Sequence, residues 1–207
     1  MAKKIALIVF SVIFIGIIVY SFQTDDKQNQ PETYLASISE HRSKQNDFFK
    51  NSEQSPLTEE QKKSFQHLDY FPAQTDFCLQ AKVNRTFSNE TIAVQTSSGK
   101  AKTYFPYAHL EFEIQKQPFK LLALQPTAHP DMLLVAFTDN TTGHETYGAG
   151  RYIEIPLPKE DLITLDFNKA FNPYCAYSDG WSCPIPPLEN HLNIPVTAGE
   201  KAFQKTH

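Results

Sequence analysis

The sequence predicts a mainly β domain (α+β): two N-terminal helices, then an antiparallel β-sheet or partly open barrel with a long Pro-rich C-terminal loop, tethered by one transmembrane helix. Three observations predict it. Ile5 to Phe22 is a run of 18 residues without a charge. From residue 76 the apolar residues alternate with period two. Seven of the 14 prolines then crowd between Pro156 and Pro195.

Residues 5–22 read IALIVFSVIFIGIIVYSF. As a helix rising ~1.5 Å per residue they reach ~27 Å, close to the ~30 Å of a hydrocarbon core. Lys3 and Lys4 precede the run, and Asp25 and Asp26 follow it. Positive charge favours the cytoplasm, so the C-terminal domain is expected on the extracytoplasmic side of a single-pass cell-membrane protein. A cleaved signal peptide would have a shorter apolar core and small residues at the cut; Val19-Tyr20-Ser21-Phe22 offers a poor site. The expected organisation is a cytoplasmic tip (1–4), a signal anchor touching lipid (5–22), a polar linker (23–33), one extracytoplasmic domain (34–201) and a tail (202–207).

Tyr34 to Phe49 has a thin apolar stripe, which suits a helix lying on a domain surface. A second helix starts at Thr58, which can cap, with Gln61 three residues on to return the bond. Phe77, Leu79, Ala81 and Val83 alternate with polar residues as in a half-buried strand. Thr91–Gln95 and Lys102–Tyr107 flank Ser97-Ser98-Gly99-Lys100 as a hairpin. Leu110–Ile114 and Phe119–Ala123 flank a tight Lys116-Gln117 turn. Met132–Phe137, Tyr152–Ile155 and Leu162–Phe167 are further short strands, and helices segregated ahead of such strands suit an antiparallel sheet or barrel. Pro184, Pro186 and Pro187 exclude the following stretch from a central strand.

Composition excludes some functions. The chain carries 20% charged and 13% aromatic residues and a net charge of −4, enough apolar mass for a core. Without a basic stripe it is not expected to bind nucleic acid. The seven His form no His-x-His or His-Glu-x-x-His pattern, so no metal site is expected, and no cofactor motif is present.

Asp139–Arg151 (DNTTGHETYGAGR), Asp166–Tyr177 (DFNKAFNPYCAY), Cys183–Glu200 (CPIPPLENHLNIPVTAGE) and Asp47–Pro72 resemble an uncharacterised bacterial protein family known only as a domain of unknown function. The resemblance spans most of residues 40–201. It implies a mainly β domain and no established activity, so candidate sites rest on chemistry.

In the first candidate, Gly148 and Gly150 let backbone approach a ligand, Tyr147 lies beside them, and Arg151 can fork onto an anion. The rival reading pairs Arg151 with Asp139, Glu145 or Asp166 inside the fold. Those three carboxylates are also the candidates for acid/base catalysis. Asn168 and Asn172 are either cleft residues or turn formers. Asn190 and Glu200 either complete a polar pocket or clamp the C-terminal segment onto the sheet. Cys175 and Cys183, eight apart, form a candidate disulfide worth ~2–3 kcal/mol by loop closure. A reactive thiol served by His191 or His144, or a metal site adding His191, are rivals; Cys-x7-Cys-x7-His lacks the tight pairs of zinc sites. The leading expectation is a small polar or anionic ligand bound between the 138–151 and 166–200 loops. A carboxylate-dependent hydrolase and a structural or interaction module of the cell envelope are the alternatives.

Overall fold

The computed structural model describes residues 31–86 and 90–204. The membrane helix expected at 5–22, the tip before it and most of the linker lie outside the described residues. Among the described residues no helix is long and apolar enough to cross a membrane.

Helix α1 runs Pro31–Asn51, starting inside the expected linker, and α2 runs Glu59–Ser64. Thr58 and Gln61 form the anticipated capping box: the Thr58 side chain accepts from the Gln61 N–H at 3.2 Å, and Gln61 Oε1 accepts from the Thr58 N–H at 2.8 Å. Two N–H groups that a helix start leaves orphaned are thereby satisfied. The boundary between two units falls inside α1, after Glu40. In the second unit, Leu68 N–H donates to Asn46 Oδ1 at 2.8 Å, and the Arg42 guanidinium lies 4.5 Å from the centre of the Tyr70 ring. Phe49 meets Tyr177 edge-on at 4.8 Å; such a pair adds ~0.5–1.5 kcal/mol beyond its burial.

Among the described residues eight strands make a half-barrel, antiparallel except for β8: β1 (Cys78–Arg85), β2 (Ile92–Gln95), β3 (Ala101–Ile114), β4 (Gln117–Pro126), β5 (Met132–Asp139), β6 (Arg151–Pro156), β7 (Leu162–Asp166) and β8 (His191–Leu192). The spatial order is β6-β5-β4-β3-β1-β7; β2 pairs with β3 and the short β8 runs parallel to β5. β3 is one long strand where the alternation suggested two. The register shifts between Pro106 and Ala108, because Pro106 has no N–H to give and the strand bulges there. The bulge lets β2 pair with the first part of β3 and β1 with the last. The turn to β4 sits one residue earlier than expected: Gln115 and Lys116 both have positive φ, the twist that matches a two-residue hairpin.

Leu121 and Ala123 of β4, with Leu133, Val135 and Phe137 of β5, face the main core, while Leu122, Leu124, Leu134 and Ala136 face a second cluster. Both faces of the sheet's middle are therefore buried, as near-continuous apolar runs require. A third cluster joins Phe49, Leu57, Phe65 and Leu68 to Ala176 and Tyr177. It anchors the helical region to the Pro-rich loop.

Candidate functional site

A set of motif polar residues, Asp139, Arg151, Asn168, Asn172, Asn190 and Glu200, is buried and holds backbone. Arg151, the first residue of β6, is fully buried. One guanidinium nitrogen donates to Asp139 Oδ2 at 2.9 Å and to the Val196 carbonyl at 2.9 Å. The other donates to the Ala198 carbonyl and, at 3.3 Å, to the Glu200 carbonyl. Asp139, the last residue of β5, accepts through Oδ1 from the Thr141 N–H (2.8 Å), the Thr141 hydroxyl (2.6 Å) and the Val196 N–H (3.2 Å). Burial pulls the Arg151 pKa down, and Asp139 and Glu200 oppose the shift. The alternative in which Arg151 pairs with an internal acid is what the geometry holds, and Asp139 is that acid. The guanidinium bolts residues 196–200 to the ends of β5 and β6.

The asparagines do the same work. Asn190 Oδ1 accepts from the Leu122 N–H at 2.7 Å, and its Nδ2 donates to the Leu122 and Ala136 carbonyls at 2.9 and 2.8 Å. β4 and β5 pair directly only at Leu124 and Leu134, so the Asn190 amide fills the fork between them like a missing strand residue. Asn168 Oδ1 accepts from the Gln74 N–H at 2.9 Å, and its Nδ2 donates to the Gln74 carbonyl at 2.7 Å. Asn172 donates to the Lys201 carbonyl at 2.7 Å. Glu200 accepts from the Asn172 N–H at 3.0 Å and from the Tyr177 hydroxyl. Burial lifts the Glu200 pKa to about 7, against the pull of the Tyr177 and Asn172 hydrogen bonds.

Gly150 and Gly199 follow this logic. Both have positive φ, and a Cβ on Gly150 would sit 2.5 Å from the Phe137 carbonyl oxygen; on Gly199 it would sit 2.7 Å from those of Phe167 and Ala170. Gly150 therefore admits protein backbone rather than a ligand. Gly148 is exposed with ordinary φ. Among the candidate catalytic carboxylates, Asp139 pairs with Arg151, Asp166 caps the 3-10 turn at Phe167–Lys169 and lies 3.8 Å from Lys169, and Glu145 is exposed.

Residues of the 166–200 loop line one groove among the described residues, and no residue of 138–151 is among its walls. The groove has a volume of about 800 Å³. Phe48, Tyr70, Tyr152, Phe171, Tyr174 and Trp181 wall it, and Lys102, His129, Glu154 and Lys169 supply charge and polarity. Glu200 also lines it. Of the residues singled out from sequence, only Glu200 and Cys183 line it. Lys102 Nζ donates to the Ser182 carbonyl at 2.7 Å. His41, also on the wall, has its pKa lowered by burial and then by Lys169. Tyr152 is raised by burial, as is Glu154. The aromatic signal was present in the sequence as Tyr174 and Trp181, but Lys102, His129 and Glu154 belong to strand and turn segments with no motif to flag them. A second depression of about 690 Å³ over Leu79, Phe112, Phe119 and Leu162 is shallower and open.

Cys175 and Cys183 lie together as free thiols: the Cys175 N–H donates to Cys183 Sγ at 3.3 Å. Tyr147 donates its hydroxyl to Cys175 Sγ at 3.8 Å. Among the described residues no group of three or more His, Cys, Asp or Glu could hold a metal ion.

Residues 63–201 match the model of a family described as "Protein of unknown function (DUF1684)". The solution NMR structure of the uncharacterized protein from gene locus rrnAC0354 of Haloarcula marismortui is similar, at 35% identity and a TM-score of 0.67, over 86% of this chain and all of that one. No curated protein matches. The chain belongs to the DUF1684 family.

Proposed function

We propose that this family member is a membrane-tethered extracytoplasmic domain that binds a small ligand in the aromatic groove, the ligand having a planar or apolar body and a polar, anionic end. The groove carries the reading. Its volume suits a small molecule, and its walls combine aromatic faces with a few convergent polar groups, the usual composition of such sites. Lys102 rests on a neutral carbonyl, so its charge is available to an anion. The candidate carboxylates Asp139, Glu145 and Asp166 do not line the groove, which leaves the hydrolase alternative without a site observation. Tethering at residues 5–22 is supported by that uncharged run and by Lys3 and Lys4 ahead of it.

Trp181 is the sole tryptophan and stands on the groove wall, 4.9 Å edge-on from Tyr174. The full chain in detergent is titrated with a panel of aromatic carboxylates, phosphate monoesters and their neutral counterparts. A saturable change in Trp181 emission for the anionic members, weakened about tenfold by Lys102→Glu as the loss of one charge contact warrants, is the expected result. No saturable response across the panel, with no shift in melting temperature, refutes it. Proteolysis of spheroplasts expressing the chain tests the orientation, since a fully protected domain would contradict it.

The interaction-module reading has its own observation: Arg151, Asp139, Asn168 and Asn190 are committed to folding contacts. It gains ground if the groove stays silent.

A further inference from the structure

We infer that Cys175 and Cys183 form a dithiol centre at the end of the groove that undergoes exchange with an external disulfide, Cys175 attacking and Cys183 resolving. The inference goes beyond ligand binding and does not depend on it.

Both cysteines are fixed on separate supports. Cys175 sits in the 3-10 turn Tyr174–Ala176, whose following residue, Tyr177, accepts through its carbonyl from Gln61 Nε2 at 2.9 Å. Cys183 is strapped to the turn between β2 and β3: its N–H donates to Ser97 Oγ at 3.1 Å, and the Ser97 N–H donates to its carbonyl at 2.8 Å. Each cysteine is thus held beside the other by contacts to a different part of the fold. That loop contains Gly180 at φ +92° and the exposed Trp181. The Lys102 Nζ and Ser97 hydroxyl donate to its Ser182 and Trp181 carbonyls, which holds the two cysteines in register.

The environment is asymmetric in the way exchange chemistry requires. Cys175 is half-buried while Cys183 is 8% exposed, so Cys175 offers an incoming disulfide the more exposed residue. The hydrogen bond from Cys183 outweighs burial and, with help from Tyr147 and Ser97, holds the Cys175 thiol down to about 6. The same hydrogen bond, with burial, pushes the Cys183 thiol up. The attacking group is the one held as thiolate, and the resolving group keeps its proton until needed.

The step balances as follows. The Cys175 thiolate attacks one sulfur of a disulfide RSSR; the S–S bond breaks, RS⁻ leaves, and Cys175 carries SR. Cys183 gives its proton to the departing thiolate or to solvent. Its sulfur then attacks Cys175 Sγ and expels the second RS⁻. Two protein thiols are oxidised to one disulfide, and one external disulfide is reduced to two thiols. The product closes a ring over residues 175–183 that contains Trp181, and so stiffens one wall of the groove.

The test uses the full chain in detergent, reduced, desalted and incubated with oxidised glutathione. Remaining thiols are trapped with N-ethylmaleimide and located by peptide mass spectrometry; Cys78 serves as the internal control. The expected wild-type result is a Cys175–Cys183 disulfide with Cys78 alkylated. In Cys183→Ser the resolving thiol is missing, so glutathione stays on Cys175; in Cys175→Ser no adduct builds up on Cys183 at a comparable rate. Wild-type protein in which Cys175 and Cys183 are both alkylated after oxidation overturns the proposal without reference to any variant. So does a Cys183→Ser protein whose glutathione sits on Cys78 instead.

Discussion

Replacing Arg151 tests whether the most conspicuous motif residue folds the chain or serves a ligand. In Arg151→Met the Asp139 carboxylate stays buried, with only the Thr141 donors and the Val196 N–H beside it. Breaking a buried ion pair from one side costs about 3–5 kcal/mol. The Val196, Ala198 and Glu200 carbonyls lose their donor as well, although carbonyls tolerate partial satisfaction better than N–H groups do. The expected total is about 5 kcal/mol, a large share of the 5–15 kcal/mol that holds a typical domain. Arg151→Lys keeps the charge but cannot fork onto four acceptors, so its loss should lie between wild type and Met. Urea unfolding followed by far-ultraviolet circular dichroism gives the numbers. Adding Asp139→Leu to Arg151→Met removes the stranded charge, and the double variant should lose less than the sum of the singles by about 2 kcal/mol. An Arg151→Met protein within about 1 kcal/mol of wild type that has lost the Trp181 response would refute the clamp and make Arg151 a ligand group.

Asn190→Ala orphans the Leu122 N–H and two carbonyls in the β4–β5 fork; at 1–3 kcal/mol per stranded group the loss should be about 3–5 kcal/mol in the same urea assay, and a loss under about 1 kcal/mol would mean water replaces the amide. Glu200 has a folded pKa raised to about 7 from 4.5, so its stabilising contribution is full below pH 4.5 and is lost as pH rises towards 7, by up to about 3 kcal/mol. Subtracting the Glu200→Gln pH–stability profile from wild type should reveal that fall, and parallel profiles would exclude it. The rate of Cys175 alkylation should rise with a midpoint near pH 6 and then level. An ordinary thiol still gains rate above pH 8, and a Cys175 profile of that form would show that the Cys183 and Tyr147 contacts do not hold the thiolate.

Elements that local rules control were legible. Thr58 and Gln61 announced a helix start, and the alternation of Phe77 to Val83 announced β1. β3 reads from its sequence as two segments, Lys102–Tyr107 and Leu110–Ile114; the strand runs on through a bulge between Pro106 and Ala108, which depends on what β1 and β2 pair with across the sheet. β8 was invisible, since two residues, His191 and Leu192, carry no period and pair with β5 only after Asn190 has filled the fork. The start of α1 at Pro31 lay in a segment whose polarity suggested a linker. In the site, sequence could offer Arg151 three acids but no separations, and only the meeting of the β5 and β6 ends selects Asp139. The groove was not legible, because its walls combine Phe48, Lys102, His129 and Trp181 from far apart in the chain.

Several residues that carry the family resemblance also wall the groove, among them Phe48, Tyr70, Phe171 and Tyr174, while others clamp the fold. Asp139, Arg151, Asn168, Asn172, Asn190 and Gly199 fall in the quoted motifs, and each either bonds backbone or makes room for it. A Pro-rich segment with no ladder of its own must satisfy its buried carbonyls and N–H groups by other means. Side chains with fixed donor and acceptor geometry do this at particular positions, which explains why the motifs are long and specific. Lys102, His129, Tyr152 and Glu154 lie outside those motifs and face the cavity. The fold is similar to that of the Haloarcula protein at 35% identity and a TM-score of 0.67. Exchanging Lys102, His129 and Glu154 should change what binds while leaving the unfolding free energy within about 1 kcal/mol, the range for substitutions that break no buried contact.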